Sequence, residues 1–193
     1  ETPDWFDIRG DLATSWDVSA DGLAFTFHLA EGAKWHDGKP VTAEDVVFSI
    51  DRMVDPDEPR PRAGLIKPYY ERGTATAVDA VTVNVPTKFP SAAFGGFMAA
   101  DYNKIFPKHV YAPTSEGGQG KDPNKTDDII GSGPFVLDNF KKDVVGEFRK
   151  FDGYWKKDSN GIQRPYLDGI DEFLIVDRGT LAANIRTGRI DFS

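Results

Sequence analysis

Three histidines, His28, His36 and His109, and two adjacent acidic pairs, Glu44-Asp45 and Asp127-Asp128, are the residue types in this 193-residue chain most able to do chemistry. A zinc centre places histidines at close helical spacing with an acid near by. Here His28 lies in an alternating apolar stretch, His36 in a turn and His109 far downstream. That spacing predicts packing and turn roles, and no metal is expected. Adjacent carboxylates point apart, and Glu44-Asp45 opens a helical pattern where negative charge meets the positive end of the helix dipole. Capping is therefore the expected role, ahead of paired acid–base work. Gly131-Ser132-Gly133-Pro134 looks at first like a phosphate loop. A phosphate cradle needs several free N–H groups at a helix start, and Pro134 removes one while a strand pattern follows. Ser132 also lacks the G-x-S-x-G context of a nucleophile elbow. Cysteine is absent, which removes disulfides, thiolate metal sites and a cysteine nucleophile. From these residues neither a catalytic group nor a cofactor is expected; a hydrolase would need a nucleophile–base pair that the spacing does not supply.

Those residues sit on a regular order of elements. After Trp16 comes the turn Ser19-Ala20-Asp21-Gly22, and then Leu23, Phe25, Phe27 and Leu29 alternate as in a half-buried strand. A second turn runs through His36-Asp37-Gly38-Lys39-Pro40. Thr42 can cap a helix over Ala43–Met53, with Asp45 at the capping-box position. Val46, Val47, Ile50 and Met53 share one side of that helix. Residues 55–62 (DPDEPRPR) are broken by proline and predict a loop. A strand is expected near Val78–Val85, and a polar, glycine-rich loop from Ala112 to Asp128. Gly133–Asn139 and Val144–Phe151 read as a hairpin around Lys141-Lys142-Asp143. Ile170–Val176 reads as another strand, and Thr180 as the cap of a short helix ended by Gly188. The pattern predicts a mixed α/β (α+β) fold with predominantly antiparallel pairing in its N-terminal part.

Length allows one large domain or two small ones. A hydrophobic fraction of 39% and an aromatic fraction of 12% fit a folded protein with a core. The net charge of −8, with no basic run, argues against nucleic acid and against an anionic membrane surface as partners. No stretch is apolar for long enough to cross a bilayer as a helix. Tyr69-Tyr70, Tyr102, Trp155 and Tyr166 could line a cleft, since flat rings hold extended ligands, or could belong to the core.

Residues 11–56 carry the turn–strand–turn–helix block described above. Further on come Ala80–Val85, Phe106-Pro107-Lys108-His109-Val110, Gly131-Ser132-Gly133-Pro134-Phe135, the segment FDGYWK at 151–156, PYLDGI at 165–170, and Gly188-Arg189-Ile190-Asp191. In this order they resemble the family 5 extracellular solute-binding proteins, the peptide and oligopeptide receptors of bacterial ABC importers. Two positions depart from the pattern: Ala30 stands where a basic residue is usual, and Arg189 where Glu is common. The resemblance implies one lobe of a two-lobed, type II periplasmic-binding-protein-like fold. Residues 1–107 would be the small extra subdomain of the first lobe and 108–193 part of its main α/β subdomain, with a leader upstream and a second lobe downstream.

By the same resemblance, the function is solute binding, most readily of peptides, and delivery to the permease subunits of an ABC importer by hinged closure of two lobes. The location is periplasmic or extracellular, membrane-associated through the transporter. The implied ligand-facing positions are Arg62, after the proline loop, and Ala100, Asp101 and Tyr102, before Phe106-Pro107-Lys108. Oligosaccharides, nickel chelates and opine-like compounds are bound by relatives with the same signature. A peptide-sensing or chaperone-like module on this fold is the alternative from another class.

Overall fold

Thr42 begins the first helix in an extended backbone conformation, and α1 runs Ala43–Met53, as the capping pattern predicts. The computed structural model describes residues 8–57, 60–100, 103–113, 120–123 and 125–192. By its contacts the chain divides into two compact units, Glu1–Ser132 and Gly133–Ser193.

In the first unit, β1 (Ala13–Val18) and β2 (Ala24–Leu29) form a hairpin over the Ser19–Gly22 turn. Gly22 takes φ +71° there, a left-handed conformation that costs glycine little. The Asp21 carboxylate accepts from the Ser19 hydroxyl and the Leu23 N–H, which together hold it below the ordinary carboxylate value. Strand β3 (Thr76–Ala77) and strand β4 (Thr82–Pro86) complete a four-stranded antiparallel sheet in the order β1-β2-β4-β3. The strand expected over Val78–Val85 is thus shorter. Residues 78–81 turn instead, because the Asp79 carboxylate accepts the Val81 N–H at 2.8 Å and competes with ladder bonding.

Register brings Phe25 opposite Val85 and Phe27 opposite Val83. With Leu29, these point to one buried face. Onto it pack Ala43, Val46 and Ile50 of α1, together with Ile66, Tyr70 and Phe94, in one apolar cluster. Burying each large side chain in such a cluster contributes about 1.5–3 kcal/mol. Phe94 lies on α2 (Ala93–Met98), and a single turn, α3 (Lys108–Tyr111), follows it; the sequence pattern assigned neither. Residues 63–65 and 126–128 form short 3-10 turns.

The second unit is a three-stranded antiparallel sheet, β5 (Phe135–Lys141), β6 (Val145–Lys150) and β7 (Gly169–Phe173), in that order. The β5–β6 turn falls at Lys141–Val144, as expected, with Asp143 at φ 60°, a conformation Asp tolerates better than most residues. Strand β7 stops at Phe173, short of the expected Val176. Helix α4 spans Arg178–Arg186. Its cap is Asp177, whose carboxylate accepts the Thr180 N–H at 2.7 Å and the Thr180 hydroxyl at 2.8 Å. Thr180, expected to cap, is instead a donor to the cap. Gly188 at φ +67° ends the helix region as predicted. Every strand pairing described is antiparallel.

Candidate functional site

The segment between α2 and α3 is tied down from behind by α1. Asp45, 3% exposed, does more than cap its helix. Its Oδ2 accepts the Thr42 N–H at 2.8 Å, the Thr42 hydroxyl at 3.0 Å and the Trp35 indole N–H at 3.1 Å. Its Oδ1 accepts the Lys108 N–H at 2.7 Å. One turn along α1, the buried Ser49 hydroxyl donates to the Asp45 carbonyl at 2.6 Å. The same oxygen accepts the Phe106 N–H at 2.8 Å. Pro107, between the two anchored residues, has no N–H to satisfy. At the surface Lys108 Nζ pairs with Glu44 at 2.7 Å.

Upstream of this anchorage, residues 103–105 form a strap over α1. A cavity of about 30 Å³ lies beneath it, bordered by Ser49, Ile50 and Met53 of α1, by Ile66 and Met98, and by the strap itself. The Asn103 side-chain amide donates to the Phe97 carbonyl, and the Asn103 N–H donates to the Ala100 carbonyl at 3.0 Å.

Ala100, half-buried, sits between α2 and this strap. Arg62 is exposed and precedes the 3-10 turn at Ala63–Leu65. The next residue after that turn, Ile66, and Met98 of α2 border the same cavity, but Arg62 and Ala100 themselves do not line it. Asp101 and Tyr102 lie outside the described residues. Of the aromatics considered, Tyr70 is a core residue at 1% exposure. Its hydroxyl donates to Asp51 at 2.5 Å and accepts the Ala75 N–H at 3.1 Å. Burial and the bond to Asp51 push its phenol up to about 12. Tyr69 tilts against Phe89 and Phe97 with ring centroids 5.2 and 5.4 Å apart, while Tyr166 is exposed.

Two histidines far apart in sequence reach one turn. His109 Nε2 lies 2.6 Å from the Asp37 carboxylate. His36 donates its N–H to the Gly131 carbonyl at 2.8 Å, and the Gly131 N–H donates to His36 Nδ1 at 3.3 Å. Desolvation pushes the Asp37 carboxyl up. The His109 hydrogen bond, the Lys39 N–H and the nearby positive charges outweigh it and leave the group below its ordinary value. His28, on β2, faces Asp17 of β1 at 2.9 Å. Among the described residues no three His, Cys, Asp or Glu side chains gather as a metal site, and no helix is long and apolar enough to cross a membrane.

Sequence reasoning assigned Asp45 its capping role but missed its reach to Lys108, and it missed Ser49 altogether. A serine on the apolar side of α1, one turn from Asp45, was the available signal.

Comparison with known proteins gives this arrangement a family. Residues 7–193 match the model of the bacterial extracellular solute-binding proteins, family 5. The dipeptide-binding protein of Escherichia coli K12 is 36% identical over 159 residues, covering 75% of this chain and 29% of that protein. The glutathione-binding protein GsiB of Shigella flexneri is 31% identical, covering 96% of this chain and 33% of its own length. Among solved structures, AgaA of A. tumefaciens R10 in complex with agropinic acid superposes with a TM-score of 0.77 at 29% identity, over 93% of this chain and 33% of that one. Listeria monocytogenes OppA bound to peptide gives 0.77 at 25% identity, over 93% and 36%. The fold is that of part of a lobe of a type II periplasmic binding protein. The chain spans about a third of the length of the relatives it matches. With the family model matched from residue 7 to the last residue, this chain belongs to the family 5 bacterial extracellular solute-binding proteins.

Proposed function

We propose that this chain is part of a receptor that captures a peptide or peptide-like solute outside the cytoplasmic membrane and delivers it to the permease of an ABC importer. The observation that carries the reading is the family match over residues 7–193, with relatives named for dipeptide and glutathione binding. In this reading residues 1–107 and 108–193 belong to two subdomains of the first lobe. Arg62 and the run Ala100-Asp101-Tyr102 would face the solute, and of these Ala100 is tied by its carbonyl to the Asn103 N–H of the anchored strap. Backbone groups of an extended peptide suit such a surface, because direct and water-bridged main-chain hydrogen bonds fix the ligand without specifying its side chains.

The likeness to AgaA with agropinic acid favours a second reading, an opine-type conjugate of an amino acid with a sugar. Both readings are tested on the complete protein by calorimetry with dialanine, trialanine, glutathione and agropinic acid. The expected result is a dissociation constant of about 1 μM or tighter for one of the peptides. Binding of agropinic acid alone would overturn the peptide reading in favour of the second, and the absence of binding to any of the four would overturn both. Alanine at Arg62 or Asp101 is expected to weaken whichever ligand binds.

A further inference from the structure

We propose that Asp45 and Ser49 of α1 are positioning residues for Ala100, where the run assigned to the solute begins and whose carbonyl accepts the Asn103 N–H at 3.0 Å. They fix the chain on both sides of Pro107 and thereby set where the strap of residues 103–105 stands. The inference rests on the reading just given, that this run meets the solute.

A helix cap needs only one carboxylate oxygen, and Oδ2 of Asp45 already takes the Thr42 N–H, the Thr42 hydroxyl and the Trp35 indole. Oδ1 is turned instead to the Lys108 N–H, 63 residues away. Ser49 shows the same division. Its hydroxyl hydrogen goes to the Asp45 carbonyl one turn back, a common habit of helical serines, which leaves a lone pair for the Phe106 N–H. Pro107 contributes no donor, so the two N–H groups of residues 106–108 that lead off the strap both end on α1.

Packing contributes here but sets no direction: Ile105 packs against the core cluster and the Arg52 guanidinium of α1 lies over the Phe106 ring, while a cavity of about 30 Å³ beside them leaves part of the strap without contacts. Directional bonds at the two ends remain: Asn103 to the end of α2, and Phe106 and Lys108 to Ser49 and Asp45. The Lys108–Glu44 pair also joins α3 to α1, but it is solvent-exposed and weak for that reason. Loss of a buried acceptor leaves a backbone N–H unpaired, a state relieved only if the strap shifts. A shift there is carried to Ala100.

The test uses the complete protein carrying Ser49→Ala, Ser49→Thr, Asp45→Asn or, as a control, Val46→Ala. Val46 lies on the same helix, is buried in the core and takes part in none of these bonds. Calorimetry with trialanine and glutathione gives affinity and stoichiometry separately, and amide exchange follows residues 103–108. Ser49→Ala is expected to speed exchange at Phe106 and weaken binding about tenfold at unchanged stoichiometry. Ser49→Thr, which keeps the hydroxyl, should restore both. Val46→Ala should lower the melting temperature and leave the affinity of the folded protein unchanged. Should Asp45→Asn fail to fold, the Ser49 pair still decides. Faster exchange at Phe106 with affinity within about twofold of the wild type would overturn the inference and leave the functional reading intact. Equal weakening by Val46→Ala would do the same. A wild-type protein that binds neither probe would overturn the inference together with the peptide reading beneath it.

Discussion

In the first unit Phe25, Val83, Val85, Ile66 and Phe94 are buried in one apolar cluster; in the second, Phe140, Leu167, Phe173, Leu174 and Val176 stand exposed. Among the described residues every buried apolar side chain other than proline lies between Phe25 and Tyr111, and α4 buries none of its residues. The two units therefore rest on different forces. The first has a hydrophobic interior with side-chain hydrogen bonds placed inside it. The second is held by strand ladders, by turns such as that closed by Asp158 at Asn160 and Ile162, and by surface ion pairs of Arg149 with Asp171 and Glu147. Antiparallel ladders need no core to form their hydrogen bonds, but three strands whose apolar residues, such as Phe135, Leu137 and Phe148, are only half-buried have little to keep them folded independently. The same sequence grammar of alternating apolar residues thus leads to full burial in one unit and to half-burial or exposure in the other.

The contrast is most open to challenge by truncating one aromatic in each unit. Phe94→Ala is expected to cost ~3–5 kcal/mol, since it empties the centre of the cluster. Phe173→Ala should stay within ~0.5 kcal/mol. Chemical denaturation of both variants checks this, and comparable losses would mean that the second unit has a core of its own.

A second prediction concerns the polar groups inside the first unit. Asp45→Ala strands the Lys108 N–H and the buried Trp35 indole N–H, and is expected to destabilise by ~2–4 kcal/mol. Tyr70→Phe removes the bonds to Asp51 and from Ala75 and should cost ~1–2 kcal/mol. The phenol of Tyr70, raised to about 12 in the folded protein, is stabilised in its neutral form. Its contribution is full below the ordinary tyrosine range and is lost as pH rises towards 12. Ultraviolet titration should find one tyrosine ionising late, and that step should vanish in Tyr70→Phe.

Amide exchange sharpens the comparison without mutation. Protection should be highest at β2, β4 and α1 and distinctly lower along β7 and α4, because exposed backbone hydrogen bonds open locally at low cost. Uniform protection would contradict the division of forces.

The smallest effect is expected at the Asp37–His109 pair. Asp37 lies below its ordinary value in the folded state, so the pair's contribution is present above the carboxylate range and fades as pH falls through the folded value. Partial exposure limits it to under ~1 kcal/mol. Asp37→Asn should flatten the acid limb of the stability curve slightly, and an unchanged limb would remove this pair from the account.

Much of the fold is legible in local residue order. Alternation at Leu23–Leu29, the Thr42–Asp45 start of α1, the Lys141–Asp143 turn and Gly188 after α4 each specify their element through backbone conformation or a bond a few residues away, and such signals survive without knowledge of the rest of the chain. Boundaries fared less well where a side chain competed for a backbone group, as Asp79 does before β4 and Asp177 before α4. Of the positions inferred for the solute, Arg62 is exposed and Ala100 half-buried, neither lines the cavity beside α1, and Asp101 and Tyr102 are outside the described residues.

By itself, the sequence determined the family, the antiparallel character of the N-terminal sheet and the first turn of α1, because each depends on ordered motifs or on contacts within a few residues. Only the tertiary structure decided that Asp45 and Ser49 hold Lys108 and Phe106, that His36 and His109 converge on one turn, and which apolar faces are covered. Those outcomes join residues 57 to 95 positions apart. Local propensity carries no record of such pairings; they arise when the packed core brings two distant backbones within reach of one side chain.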